Sequence, residues 1–303
     1  MSVDRREYAG WPDCWWLRNS DVELVVPGQI GPRVMRYGRP GGVNVFHNFP
    51  HAMGKAGETV WQNRGGHRLW AAPECAASKA LDNGPVEVTA GDLHLHARQS
   101  VEPESGLEKE IDLRLAPQGT TVTVLHRITN RNARPVRLAP WGLSVMRQGG
   151  IAVAGFPPRA GHDQRLLPTN PLTMWGYTDF SDPRWRFTRR FVLLRQDPTA
   201  VVPQKTGLFA ENSWAAYAVE GELFLKQSAA SRQAEYPDYG CSVELFTNAA
   251  MLEVETLGPL ATVEPGATVE HLEEWSLHPA PSLAGAHDEQ LAEFFEPRVK
   301  RAD

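Results

Sequence analysis

The chain has 303 residues, 42% hydrophobic and 22% charged, a globular composition with apolar material for a sizeable core. A mean hydropathy of −0.38 and the lack of any long apolar run exclude a membrane-spanning helix. Net charge is −5 with the basic residues scattered, which excludes the clustered basic face that a nucleic-acid partner requires.

The opening stretch, MSVDRREYAGWPDCWW, is charged and lacks a signal-peptide core, so a cytoplasmic protein is expected. Cys14, Cys75 and Cys241 are widely spaced with no CxxC pair, which reads as reduced, mostly buried thiols and no zinc site. Ten Trp, 24 Pro and 26 Gly together suggest a β-rich chain whose loops carry aromatic surfaces.

Short alternating or β-branched runs, separated by turn residues, predict strands over 21–27, 32–38, 43–48, 86–91, 93–100, 108–116, 120–132, 136–146 and 150–156. A second series follows over 185–196, 214–221, 223–230, 241–248, 251–258 and 267–279. Hairpins are expected at TAGD (89–92), VEGEL (219–223) and TNAAM (247–251). The segment 69–81 is open between a helical turn and a loop. An amphipathic helix is predicted within 284–300, with Asp288 as its cap, closing one end of the structure. No linker, repeat or low-complexity tract interrupts the strands. The expectation is one all-β antiparallel domain over 1–303, split into two packed sheets because a single sheet so wide would curl.

On the 251–257 strand, Met251, Glu253, Glu255 and Leu257 share one face, opposite Leu252, Val254 and Thr256. On 241–248, Ser242, Glu244 and Phe246 share a face opposite Val243 and Leu245. If TNAAM joins the two strands, three glutamates lie on one surface. That surface is either solvated or a site where crowded carboxylates raise a pKa into the range of a general acid or base.

A second candidate is WQNRGGHRLWAAPE (61–74), where Arg64, His67 and Arg68 flank a Gly-Gly turn and precede Trp70 and Glu74. Basic groups beside an aromatic ring suit a polar, hydroxyl-bearing ligand, although a plain turn with stacked side chains has the same composition. Trp141 and Arg147 either pack or line a cleft. His126, among apolar neighbours, reads as a core or edge histidine. Tyr236 and Asp238 of YPDYG read as exposed contact residues, and Lys205 and Lys226 as isolated surface charges. His94 and His96 share a strand face without carboxylates whose spacing ties to them, weak support for a metal pair. GxSxG, P-loop and GxGxxG patterns are absent, which leaves serine catalysis and nucleotide binding without support.

The order of GGHRLWAAPE, LFLKQ, YPDYGCSVELFTN, LEVETLGPL and VEHLEEWSL, spanning 61 to 277, resembles the galactose-mutarotase-like proteins, the aldose 1-epimerases and their relatives. The resemblance implies an antiparallel two-sheet supersandwich with few short helices and a cleft for a small-molecule carbohydrate, without cofactor, metal, nucleic-acid or membrane partner. Glu255 matches the glutamate that acts in those enzymes as general base on the anomeric hydroxyl. Where they carry a histidine after a TN strand, this chain reads TNRNARPVRLAPWGLSVM, so the candidate acid becomes His67. Arg64, Arg68, Trp70, Glu74, Trp141, Arg147, Tyr236, Asp238, Glu244 and Glu253 complete the implied binding surface. Three functions follow: anomer interconversion of an aldose or sugar derivative; a sugar-binding protein that keeps the cleft without catalysis; and a lyase or hydrolase on uronate-containing saccharides, with arginines pairing the carboxylate.

Overall fold

The computed structural model describes residues 2–300. Antiparallel strands form a ten-stranded sheet, an eight-stranded sheet and a smaller four-stranded sheet built from the N-terminal forty residues. The eight-stranded sheet carries the site. Its strands run in the order Leu172–Met174, Gln204–Leu208, Val243–Thr247, Leu252–Leu257, Val136–Met146, Gly66–Ala72 and Arg33–Val34, with Ala261–Val263 pairing Val136–Met146 off that path.

The alternation in these strands decides what each side meets. Leu69, Ala71, Leu138, Met146, Val243, Leu245, Leu252 and Val254 point towards the ten-stranded sheet and join one apolar core with its Ile111, Leu113, Val122, Val124, Phe224 and Trp275. Trp70, Ala72, Ala139, Trp141, Leu143 and Leu257 point the other way and form a separate cluster with Trp61 and Leu260. The sheet therefore carries apolar side chains on both sides, and its inner side packs against the ten-stranded sheet.

All three expected hairpins form, joining Val86–Gly91 to His94–Gln99, Asn212–Val219 to Glu222–Ala229, and Val243–Thr247 to Leu252–Leu257. Residues 43–48 contribute only isolated bridges at Phe46 and Asn48 instead of a strand. The 185–196 run is two strands, Trp185–Phe187 and Phe191–Arg195. Six strands lie outside the expected set: Ser2–Tyr8, Trp11–Arg18, Gly66–Ala72, Leu172–Met174, Gln204–Leu208 and Ala261–Val263. The C-terminal helix is Asp288–Phe295, and it packs Leu291, Ala292 and Phe295 against Trp214, Phe191 and Leu225. His287, not Asp288, occupies the cap position. The Asp288 carboxylate instead accepts from Thr188 and Arg190 and ties the helix to the ten-stranded sheet.

Cys14 and Cys241 are buried and Cys75 is exposed; all three are free thiols. Among the described residues no helix is long and apolar enough to cross a membrane.

Candidate functional site

In antiparallel pairing, residues directly opposite share a face. The register therefore lines up Arg68, Leu143, Glu255, Glu244 and Gly207 across five neighbouring strands on the side away from the ten-stranded sheet. One step along the same side come Val145, Glu253, Phe246 and Lys205, and on the opposite flank Trp70, Trp141 and Leu257.

Lys205 is the centre of this face. Its ammonium stands 2.7 Å from Glu244 Oε2 and 3.0 Å from Glu255 Oε2, and 4.8 Å from the rings of both Trp141 and Trp175. Glu255 Oε2 also accepts from the Trp141 indole at 2.8 Å. Both glutamates are fully buried. Burial works against the charge on Lys205, but the two carboxylates outweigh it and raise its pKa. Burial lifts Glu244 well above the usual carboxylate range despite Lys205. Gly207 makes the room: a Cβ there would lie 3.1 Å from Glu244 Cγ and 2.5 Å from Cys241 Sγ.

Beside this triad, Arg68 donates to Glu253 at 3.2 Å and lies 4.4 Å from the Trp70 ring and 5.7 Å from that of Trp61. Burial raises the pKa of Glu253, with Arg68 opposing. Polar atoms on this face are left over. Arg68 Nε and Nη1, Trp61 Nε1, Trp70 Nε1, Glu244 Oε1 and Glu255 Oε1 are buried without a hydrogen-bond partner among the described residues. Buried polar groups are almost always satisfied, so these donors and acceptors among tryptophans are groups that water or a polar ligand would satisfy.

Lys205 and Lys226, which read as surface charges in the sequence, are both buried, because each meets carboxylates distant in the chain. Trp61 and Trp175 are further residues of the face that sequence reasoning did not assign. The alternation Gln204–Lys205–Thr206–Gly207 was the available signal for a strand presenting Lys205 and Gly207 together.

The expected acid is overturned. His67 neighbours Arg68 in a strand, so it points to the other side, into the interior between the sheets, and is fully buried there. His67 Nδ1 meets Ser144 Oγ at 2.9 Å and its Nε2 meets His126 Nε2 at 2.7 Å. His126 Nδ1 must donate to the His271 carbonyl, at 3.0 Å, because a carbonyl only accepts. In the neutral ring His126 Nε2 then accepts from His67 Nε2–H, and Ser144 donates to His67 Nδ1. Burial lowers the pKa of His126 to about 4 and that of His67 well below the ordinary value, so both rings are neutral. His67, His126 and Glu273 offer ligand atoms within 4.8 Å of one another, but the Lys226 ammonium already sits 3.0 Å from Glu273 as the local cation. Lys226 also donates to the Gly142 carbonyl at 2.9 Å, which ties the ten-stranded sheet to the strand carrying Trp141.

The remaining expected residues divide. Trp70, Trp141, Arg68, Glu244, Glu253 and Glu255 come together on one face. Glu74 is exposed and paired with Lys79 at 3.0 Å. Arg64 is buried against Glu58. Arg147 leaves the site altogether: it is exposed, 2.6 Å from Glu220 at a hairpin of the ten-stranded sheet. Tyr236 is buried against Phe209, with its hydroxyl accepting from the Ser231 amide; its neighbour Tyr239 is the exposed one. Tyr236 and Asp238 line a cavity of about 590 Å³ with Pro73, Phe209 and Arg232. His94 and His96 each meet a separate carboxylate, Asp112 and Glu110, both at 2.7 Å.

No protein-family model and no curated protein matches the chain. Solved structures do. A galactose mutarotase-like protein from Lactobacillus casei ATCC 334 aligns over 88% of this chain and 100% of its own, with TM-score 0.55 and 12% identity. A galactose mutarotase related enzyme from Lactobacillus acidophilus aligns over 89% and 98%, with TM-score 0.53 and 9% identity. The chain has the galactose-mutarotase-like fold. A candidate aldose 1-epimerase from Klebsiella pneumoniae subsp. pneumoniae MGH 78578 agrees, covering 96% of this chain and 86% of its own at TM-score 0.60 and 13% identity. Identities this low carry the fold and leave the chemistry to the residues of this chain. Within the galactose-mutarotase-like supersandwich the decorated face is the side of the eight-stranded sheet turned away from its partner, and Glu255 stands on it.

Proposed function

We propose that the outer face of the eight-stranded sheet binds a small carbohydrate and that the protein interconverts the anomers of an aldose or sugar derivative, with Glu255 as the base. The observation that carries this reading is the Glu255 carboxylate. It is fully buried, anchored at one oxygen by Trp141 and Lys205, and left with the other oxygen unpartnered among tryptophans. An anchored carboxylate with one free oxygen is suited to take a proton from a hydroxyl held over it. The indole rings offer apolar platforms to the carbon face of a sugar, while Arg68 and the Trp61 and Trp70 N–H groups lack acceptors that hydroxyls would supply. The fold neighbours described as mutarotase-related support the substrate class.

The test is anomer-exchange NMR on a panel of aldoses, sugar phosphates and uronates, wild type beside Glu255→Gln. Exchange for one sugar, abolished in the variant with little change in melting temperature, is the expected result. Undiminished exchange in Glu255→Gln would remove the residue from the role. One observation favours a second reading, a sugar-binding protein without turnover: the histidine expected as acid lies behind the sheet. Ligand-induced shifts without exchange for any sugar would establish that reading instead.

A further inference from the structure

We propose that Glu244 is the general acid of this site, working across the strand pair from Glu255. The inference rests on the anomer-interconversion reading and deepens it by supplying the proton donor that His67 cannot be.

The argument is a charge count in a dry space. Glu244 and Glu255 sit directly opposite each other on neighbouring strands, both fully buried, with Lys205 bridging them. One ammonium balances one carboxylate, so with both ionised the triad carries an uncompensated buried negative charge. A single shared proton makes it neutral, and a buried site selects that state. The hydrogen bonds then choose its owner. Glu255 Oε2 receives the Trp141 indole as well as Lys205, whereas Glu244 has Lys205 alone. The better-solvated carboxylate stays ionised, and the proton rests on Glu244. Burial pushes the Glu244 pKa in the same direction.

This leaves two complementary vacancies in hydrogen bonding. Glu244 Oε1 carries a hydroxyl without an acceptor, and Glu255 Oε1 offers an acceptor without a donor. A cyclic hemiacetal supplies both partners, a ring oxygen and an anomeric hydroxyl. Glu255 removes the proton from O1 while Glu244 gives its proton to the ring oxygen. The C1–ring-oxygen bond breaks and C1=O1 forms. Rotation about C1–C2 and the reverse transfers close the ring on the other face, returning both protons to their starting sites. Lys205 does not exchange protons. It holds both carboxylates and keeps Glu255 charged, which makes it a positioning residue.

The experiment pairs a direct measurement of the proton with a measurement of turnover. In protein labelled with 13C at glutamate carboxyls, one resonance is expected to remain protonated at pH 7 and to vanish in Glu244→Gln. Should that variant not fold, Glu244→Asp serves for the assignment. Anomer exchange is expected to fall about 10²–10⁴-fold in Glu244→Gln, with sugar binding retained, and the wild-type pH–rate profile to lose its alkaline limb in the variant. A Glu244 carboxyl that is ionised at pH 7, or exchange at the wild-type rate in Glu244→Gln, overturns the proposal. A protonated Glu244 in a wild type that exchanges no sugar overturns the epimerase reading and the acid role with it, while leaving the shared proton established.

Discussion

Replacing Lys205 by methionine separates a buried ion triad from an aromatic box that merely holds a chain. Met keeps most of the side-chain volume over Trp141 and Trp175 and removes only the charge. The ammonium is nearly inaccessible and its two partners are wholly so. Removing one member of a buried ion pair costs on the order of 3–5 kcal/mol, because the remaining charge keeps its desolvation penalty and loses its compensation. At roughly 2–4 °C per kcal/mol for a large domain, the melting temperature at pH 7 is expected to fall by about 6–20 °C. In the variant Glu255 retains only the Trp141 donor and has lost its buried cation. Glu255→Gln in the same background removes the orphaned charge and is expected to recover part of the loss. Scanning calorimetry from pH 4.5 to 8 on the wild type, Lys205→Met and the double variant provides the data. A Lys205→Met protein melting within about 1 °C of wild type throughout would refute the buried triad.

Two further outcomes concern the interior. His126 has a folded pKa of about 4, so between there and its unfolded value near 6.5 the unfolded chain binds a proton that the folded one does not. Stability is fully present above pH 6.5 and falls with acidification through this window, by about 3 kcal/mol from this residue. His67 acts in the same direction. Burial opposes the charge of Glu273, but Lys226 and the neighbouring donors hold its pKa well below the usual range, which adds a loss at still lower pH; chemical denaturation at a series of pH values reads the profile, and a flat response from 7 to 4 would contradict it. Gly142→Ala places a Cβ 2.2 Å from Glu273 Oε1 on a strand whose backbone cannot retreat. It is expected to cost about 1–3 kcal/mol by overpacking, with sugar binding on the far face unchanged, as denaturation and ligand titration together report.

The sequence carried the all-β architecture, the three hairpins and the shared face of Glu244, Glu253 and Glu255, because period-two alternation is local and those strands are long or tightly joined. It misplaced His67 for a simple reason. Reading GGHRL as a turn suspended the parity rule, and only in a strand do His67 and Arg68 point to opposite sides. Lys205 and Lys226 looked like surface charges because nothing within a few residues neutralises them. Their carboxylates come from Glu244, Glu255 and Glu273, brought close only by sheet register. The acid–base pair was likewise hidden. Two glutamates facing each other are visible in a hairpin pattern, but which one keeps the proton depends on the Trp141 indole from a third strand.

The most direct test of where a ligand sits uses the tryptophans themselves. In protein labelled with 15N at indole nitrogens, an aldose that binds is expected to shift the Trp61 and Trp70 signals, whose N–H groups have no acceptor, and that of Trp141 through Glu255. The Trp275 signal should stay fixed, since its indole donates to Glu273 in the interior at 2.6 Å. Saturable binding that leaves the Trp61, Trp70 and Trp141 indoles unmoved would place the ligand elsewhere and contradict the assignment of this face.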